Sequence, residues 1–137
     1  EALPVMELDF SALPAGMPRV ASWEAKWGVD GTGTAVEAGK SVEFAGTRSL
    51  FPDDLDEALV DRLQSTAVSA FAALRLRDYA RIDLRVNDAG EIFVIEVNPN
   101  CYLERDAEFA RSAERAGITY HALIARIVEL ARARYAR

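Results

Sequence analysis

Between Tyr79 and Asn100, apolar and polar residues alternate with a period of two, as in paired strands with one apolar face. Ala80, Ile82, Leu84 and Val86 point one way, and Arg81, Asp83 and Arg85 the other. Past Asn87-Asp88-Ala89-Gly90, a turn by composition, Phe93, Ile95 and Val97 alternate with Ile92, Val94, Glu96 and Asn98. A four-residue loop pairs Val86 with Glu91, and hence Ala80 with Val97, Ile82 with Ile95 and Leu84 with Phe93. All three of those pairs are apolar. A slip of one residue would set Asp83 against Ile95 and mix the faces, so the first register is expected.

Elsewhere the period is that of a helix. Leu55, Leu59, Leu63, Ala67, Ala70, Phe71 and Leu74 form one stripe through about Leu76, opened by Pro52-Asp53-Asp54, whose acids suit a helix N-terminus. This stripe reads as core and should pack on the apolar face of the hairpin. After the break at Pro99-Asn100-Cys101-Tyr102, Glu104–Ala116 reads as a helix stopped by Gly117, with Phe109 and Ala113 inward. Thr119 can cap a last helix that buries Tyr120, Leu123, Ile124, Ile127, Leu130 and Ala131. His121 and Arg126, Arg132, Arg134 and Arg137 fall on its solvated side. Toward the N-terminus, Pro4–Phe10 reads as a strand, Ser11–Pro18 as a loop, and Arg19–Trp27 as starting extended. Gly28–Gly39 reads as a surface loop, either a plain connection or a lid, and Ser41–Phe44 as a short strand. The whole is an α+β domain over residues 1–137: two layers, a mainly antiparallel sheet with helices packed on one face.

Composition narrows the classes. With 137 residues and 50% hydrophobic content, one domain with its own core is expected. A net charge of −6 argues against a nucleic-acid surface. No apolar run is long enough to span a bilayer, and no secretory leader is visible. The single Cys101 excludes an internal disulfide and fits a reducing cytoplasm; with no paired His motif it reads as an inert small residue. Lys26 and Lys40 are the only lysines.

The polar face of the hairpin carries the candidate chemistry. In the expected register Arg81 lies opposite Glu96 and Asp83 on the diagonal, with Cβ atoms about 7–8 Å apart at most. Two carboxylates so placed, with Asn98 one pleat further, suit a hard cation bound through oxygen at about 2.0–2.1 Å. Without His or thiolate the donor set favours Mg²⁺ or Mn²⁺ over Zn²⁺. Such a site completes its octahedron with water and substrate phosphates. The competing reading is an exposed sheet face with a cross-strand Arg81–Glu96 salt bridge, worth little.

Arg81-Ile82-Asp83, a short turn and then Phe93-Val94-Ile95-Glu96-Val97-Asn98-Pro99 closely resemble the metal-binding hairpin of ATP-grasp ligases, nearest to the D-alanine–D-alanine ligases. Ser22-Trp23-Glu24-Ala25-Lys26-Trp27 is similar to the segment of that family that supplies a phosphate-contacting lysine and a neighbouring aromatic. The resemblance implies the C-terminal portion of an ATP-grasp domain in a longer ligase. The adenine-gripping subdomain, the glycine-rich loop and the substrate domain of that family all precede this region, and a start at Glu1 reads as that of an excised piece. It implies ATP and Mg²⁺ (or Mn²⁺) as cofactors, with Asp83, Glu96 and Asn98 on the metal and Lys26, Trp27 and Arg81 at the nucleotide. Lys26 would meet the γ-phosphate, and Arg81 the transferring phosphoryl group and the later oxyanion.

The implied reaction phosphorylates a small carboxylate, and an amine then displaces phosphate from the acyl phosphate. Besides ATP and these substrates, the implied partner is the remainder of the same ligase chain, in the cytoplasm, with the piece alone inactive. The oligomeric state stays open, a homodimer among the options. The alternative is a non-catalytic metal-binding or interaction module that retains the scaffold. Two departures bear on substrate. Asn98 is followed by Pro99-Asn100-Cys101-Tyr102-Leu103 with no Gly, Ser or Thr, and Trp27 stands where those enzymes typically carry Tyr. Both leave the donor acid and acceptor amine unassigned.

Overall fold

The computed structural model describes residues 1–21 and 42–136, which form two compact units. The smaller, Met6–Pro52, holds β1 (Glu7–Asp9), α1 (Val42–Gly46) and β2 (Arg48–Leu50). β1 and β2 run antiparallel, with Glu7 opposite Leu50 and Asp9 opposite Arg48. The strand expected at Ser41–Phe44 is therefore misplaced: Val42–Gly46 is helical and the strand follows at Arg48. Four alternating residues, Ser41-Val42-Glu43-Phe44, are too few to tell a strand from a helical turn. The ladder decides, and here it sets the charges of Asp9 and Arg48 opposite one another. The expected first strand is likewise trimmed to three residues. Past it, the Asp9 carboxylate accepts from the Ser11 N–H at 2.8 Å and its hydroxyl at 2.9 Å. The backbone bond foremost holds this carboxyl below its ordinary pKa.

The larger unit, Glu1–Val5 with Asp53–Arg137, holds α2 (Glu57–Ala73), the hairpin β3 (Arg81–Val86) and β4 (Ile92–Asn98), α3 (Glu108–Arg115) and α4 (Tyr120–Tyr135). All strand pairing among the described residues is antiparallel, and α2 lies against both hairpin strands, as the α+β pattern implies. α2 starts later than expected, because the Asp56 carbonyl accepts the first helical N–H groups, from Leu59 and Val60, at 3.0 Å. Its stripe is buried at Leu63, but Leu74 ends exposed beyond the last turn.

Both α2 and α3 end in the same double hydrogen bond. After α3, the Ile118 and Gly117 N–H groups donate to the Ala113 and Glu114 carbonyls at 2.9 Å. After α2, Leu76 and Arg75 donate to Phe71 and Ala72 at 3.0 Å. This closure needs a left-handed residue, supplied by Gly117 at φ 79° and, with a side chain in the way, by Arg75 at φ 53°. Thr119 caps α4 as expected, accepting from the Ala122 N–H at 3.3 Å.

The core gathers Ala110, Ala113 and Leu123, with Leu3, Phe109, Ile118, Tyr120 and Ile127 packed against them. The N-terminal segment is tied in by Gln64, which donates to the Leu3 carbonyl at 3.0 Å, and by Ser112, which donates to the Pro4 carbonyl. Leu130, expected inward, is exposed, whereas His121 is exposed as expected. No described helix is long and apolar enough to cross a membrane.

Candidate functional site

The hairpin turns tighter than its sequence suggests. Asn87 pairs with Glu91 around a three-residue loop, its N–H donating to the Glu91 carbonyl at 3.1 Å. The Asn87 side chain locks this geometry. Its Oδ1 accepts from the N–H groups of Ala89 at 3.1 Å and Glu91 at 2.9 Å, and its amide donates to the Glu91 carboxylate at 2.7 Å. Gly90, at φ 74°, takes the left-handed position that ends such a loop. From α2, Arg62 donates to the Gly90 carbonyl.

Losing one loop residue slips the ladder at the tip, so that Leu84 faces Val94, Arg85 faces Phe93 and Val86 faces Ile92. Continued unchanged, that slip would set Glu96 opposite Ile82, with Ile95 against Asp83. It does not continue. A bulge leaves Ile95 without a partner, and beyond it Asp83 faces Glu96, Ile82 faces Val97 and Arg81 faces Asn98. The expected pairing is thus corrected at every position, while the grouping of Arg81, Asp83, Glu96 and Asn98 on one face survives. Phe93 and Ile95, expected inward, are 49% and 65% exposed.

The cross-strand Arg81–Glu96 contact is replaced by a bond within β3. Arg81 Nε and Nη2 donate to Asp83 Oδ1 and Oδ2 at 2.7 and 2.9 Å, a bidentate fork. Burial opposes the Arg81 charge, but the hydrogen bonds and charge of Asp83, with the charges of Glu108 and Glu96, outweigh it and raise its pKa. Asn98 Oδ1 accepts the Asn100 N–H at 2.9 Å, and the Asn100 side chain accepts the Tyr79 hydroxyl at 3.1 Å. Cys101, 4% exposed, is buried nearby, and burial pushes its thiol pKa up, in keeping with an inert residue.

Two facing carboxylates beside a carboxamide oxygen are a hard-oxygen donor set, and that chemistry fits Mg²⁺ or Mn²⁺. No third His, Cys, Asp or Glu joins them among the described residues, so phosphate and water would fill the remaining positions. Of the expected site residues, Arg81, Asp83, Glu96 and Asn98 come together. Lys26 and Trp27 lie outside the described residues, as does the Gly28–Gly39 loop. Three neighbours escaped the sequence reading. Asn-Pro-Asn is a readable turn signal for Asn100. Tyr79 needs the fold to reach it, and Glu108, which acts on the Arg81 charge, comes from a different element.

The family described as D-ala D-ala ligase C-terminus matches residues 38–129. Uncharacterized protein y4sG of Sinorhizobium fredii is 31% identical over 135 residues, which cover 98% of this chain and 35% of that protein. The D-alanine–D-alanine ligase of Oceanobacillus iheyensis is 32% identical over 92 residues, 67% of this chain and 25% of the enzyme. The crystal structure of D-alanine–D-alanine ligase from Bacillus anthracis complexed with ATP superposes with a TM-score of 0.60 at 30% identity, covering 66% of this chain and 31% of that one. The chain spans roughly a quarter to a third of the length of these relatives. With the family matching residues 38–129, which take in the hairpin, and with the solved ligase superposing on 66% of the chain, the chain belongs to the family of the D-alanine–D-alanine ligase C-terminal domain.

Proposed function

We propose that this chain is the C-terminal portion of an ATP-grasp domain and supplies the metal- and phosphate-binding half of a carboxylate–amine ligase working through an acyl phosphate. The observation that carries this reading is Asp83 facing Glu96 across the hairpin, with the Arg81 guanidinium clamped beside them. Asp83, Glu96 and Asn98 would hold a divalent ion, whose charge would offset that of the nucleotide phosphates.

Arg81 acts on the transferring phosphoryl group and on the oxyanion formed when the amine attacks. A guanidinium has five N–H donors, more than the two that Asp83 engages, and the clamp orients the rest before substrate arrives. Lys26 adds a positive charge at the γ-phosphate and Trp27 lies beside the nucleotide, both on the strength of the family resemblance. Phosphoryl transfer asks for little beyond such placement and charge. The residues after Asn98 leave the acid and the amine unassigned.

The test is amino-acid-dependent ADP release by the full-length protein. Losing several kcal/mol of charge stabilisation predicts a fall of about 100-fold or more for Glu96→Gln and for Asp83→Asn. The unfolding midpoint of Glu96→Gln should stay put, since Glu96 is exposed. Full activity in both variants removes the metal assignment, and no turnover by wild type with any amino acid favours a non-catalytic module.

A further inference from the structure

Asn98 closes β4 with its side chain already committed. Its Oδ1 accepts the backbone N–H of Asn100 at 2.9 Å. A backbone N–H only donates, so the atom facing it is the oxygen, and the orientation of this carboxamide is unambiguous. An amide oxygen has two lone pairs. One is used here, and the other is left for a cation. If the Asn100 N–H swung away, the Asn98 amide could rotate and present its NH₂ group, which repels a cation.

What holds Asn100 is Tyr79, whose hydroxyl donates to the Asn100 side chain at 3.1 Å. Tyr79 is itself fixed from two directions. Its ring packs on Phe109 of α3, with centroids 5.6 Å apart and planes at 54°. Its N–H donates to the Arg77 carbonyl at 2.7 Å around Asp78, which sits at φ 64°. Arg134 of α4 grips the Asp78 carboxylate at 2.7 Å. The chain of contacts therefore runs from two helices to the end of β4.

We propose that Tyr79, acting through Asn100, is a positioning residue that holds the Asn98 carboxamide oxygen toward the cation shared with Asp83 and Glu96. This rests on the metal-holding role given to those three residues. Groups one shell out from a metal ligand set its orientation, and their loss weakens metal binding without touching the ion.

The experiment measures Mn²⁺·ATP binding to the full-length protein by water-proton relaxation, in Tyr79→Phe, Asn100→Ala, the double variant and Glu96→Gln. Tyr79→Phe keeps the ring against Phe109 and deletes only the hydroxyl. On the scale of one hydrogen bond it should weaken binding about 3- to 10-fold. The double variant should bind no worse than Asn100→Ala, because both changes break one relay. In the metal-free protein the Asn98 side-chain amide resonance should move in Tyr79→Phe at unchanged thermal midpoint. Unaltered binding in Tyr79→Phe alongside weakened binding in Glu96→Gln overturns the positioning role and leaves the metal assignment standing. Unaltered binding in Glu96→Gln overturns both. Additive losses in the double variant, or a loss that tracks a lowered thermal midpoint, also overturn the positioning role.

Discussion

Replacing Asp83 with Asn keeps the shape of the side chain and removes the charge that Arg81 is folded against. At a charge separation near 4 Å and an effective dielectric of about 20, the attraction is about 4 kcal/mol before desolvation. Fully exposed pairs realise about 0–1 kcal/mol, and stripping the partner from a buried charge costs about 3–5 kcal/mol. The Arg81 and Asp83 side chains are 25% and 33% exposed and share two well-formed hydrogen bonds, which places the pair between those limits. A coupling energy of about 1–2 kcal/mol follows. A double-mutant cycle of Arg81→Gln, Asp83→Asn and the double variant, read by urea unfolding, isolates it. Arg81 is a base with a raised pKa, so its contribution is present in full below the ordinary arginine value and is lost only above it. The coupling should therefore be the same at pH 7 and pH 9. A coupling below about 0.3 kcal/mol, within the additivity error of independent sites, would refute the clamp as the element that presets Arg81.

Other outcomes follow from the helix ends and from the thiol. Arg75→Gly should stabilise the protein by about 0.5–1 kcal/mol, since relief of a left-handed side chain outweighs the added freedom of the unfolded chain, while Gly117→Ala should cost about 1 kcal/mol. A Cβ at Gly117 would meet nothing within 4 Å, so that cost is purely one of backbone conformation, and thermal midpoints that move in the opposite sense would show the reasoning wrong. Cys101 should react with iodoacetamide far more slowly in the folded protein than in urea. Because burial raises this acid's pKa, the unfolded thiol ionises first, and stability should fall as pH rises through the ordinary thiol range. Alkylation of the folded protein at the rate of free cysteine would contradict both statements.

Periodicity carried the fold a long way. A period of two groups Arg81 with Asp83 on one strand and Glu96 with Asn98 on the other, because that grouping depends only on parity along each strand, whereas bringing the two pairs to one face depends on the register between them. The stop at Gly117 and the cap at Thr119 are equally local, each resting on a few consecutive residues. Val42–Gly46 shows the limit: its residues tolerate either strand or helix, and the ladder between β1 and β2 settles the matter.

The sequence by itself determined which side chains share a face within each strand and that their oxygens suit a hard cation, since alternation and donor chemistry are properties of neighbours in the chain. Only the tertiary structure decided which of them meet. The choice between a three- and a four-residue loop turns on the Asn87 side chain, Gly90 and an anchor reaching over from α2. The bulge at Ile95 then brings Glu96 to Asp83 and leaves Arg81 to be clamped along its own strand. Register and bulge are long-range balances of many small energies, and no single residue records their outcome.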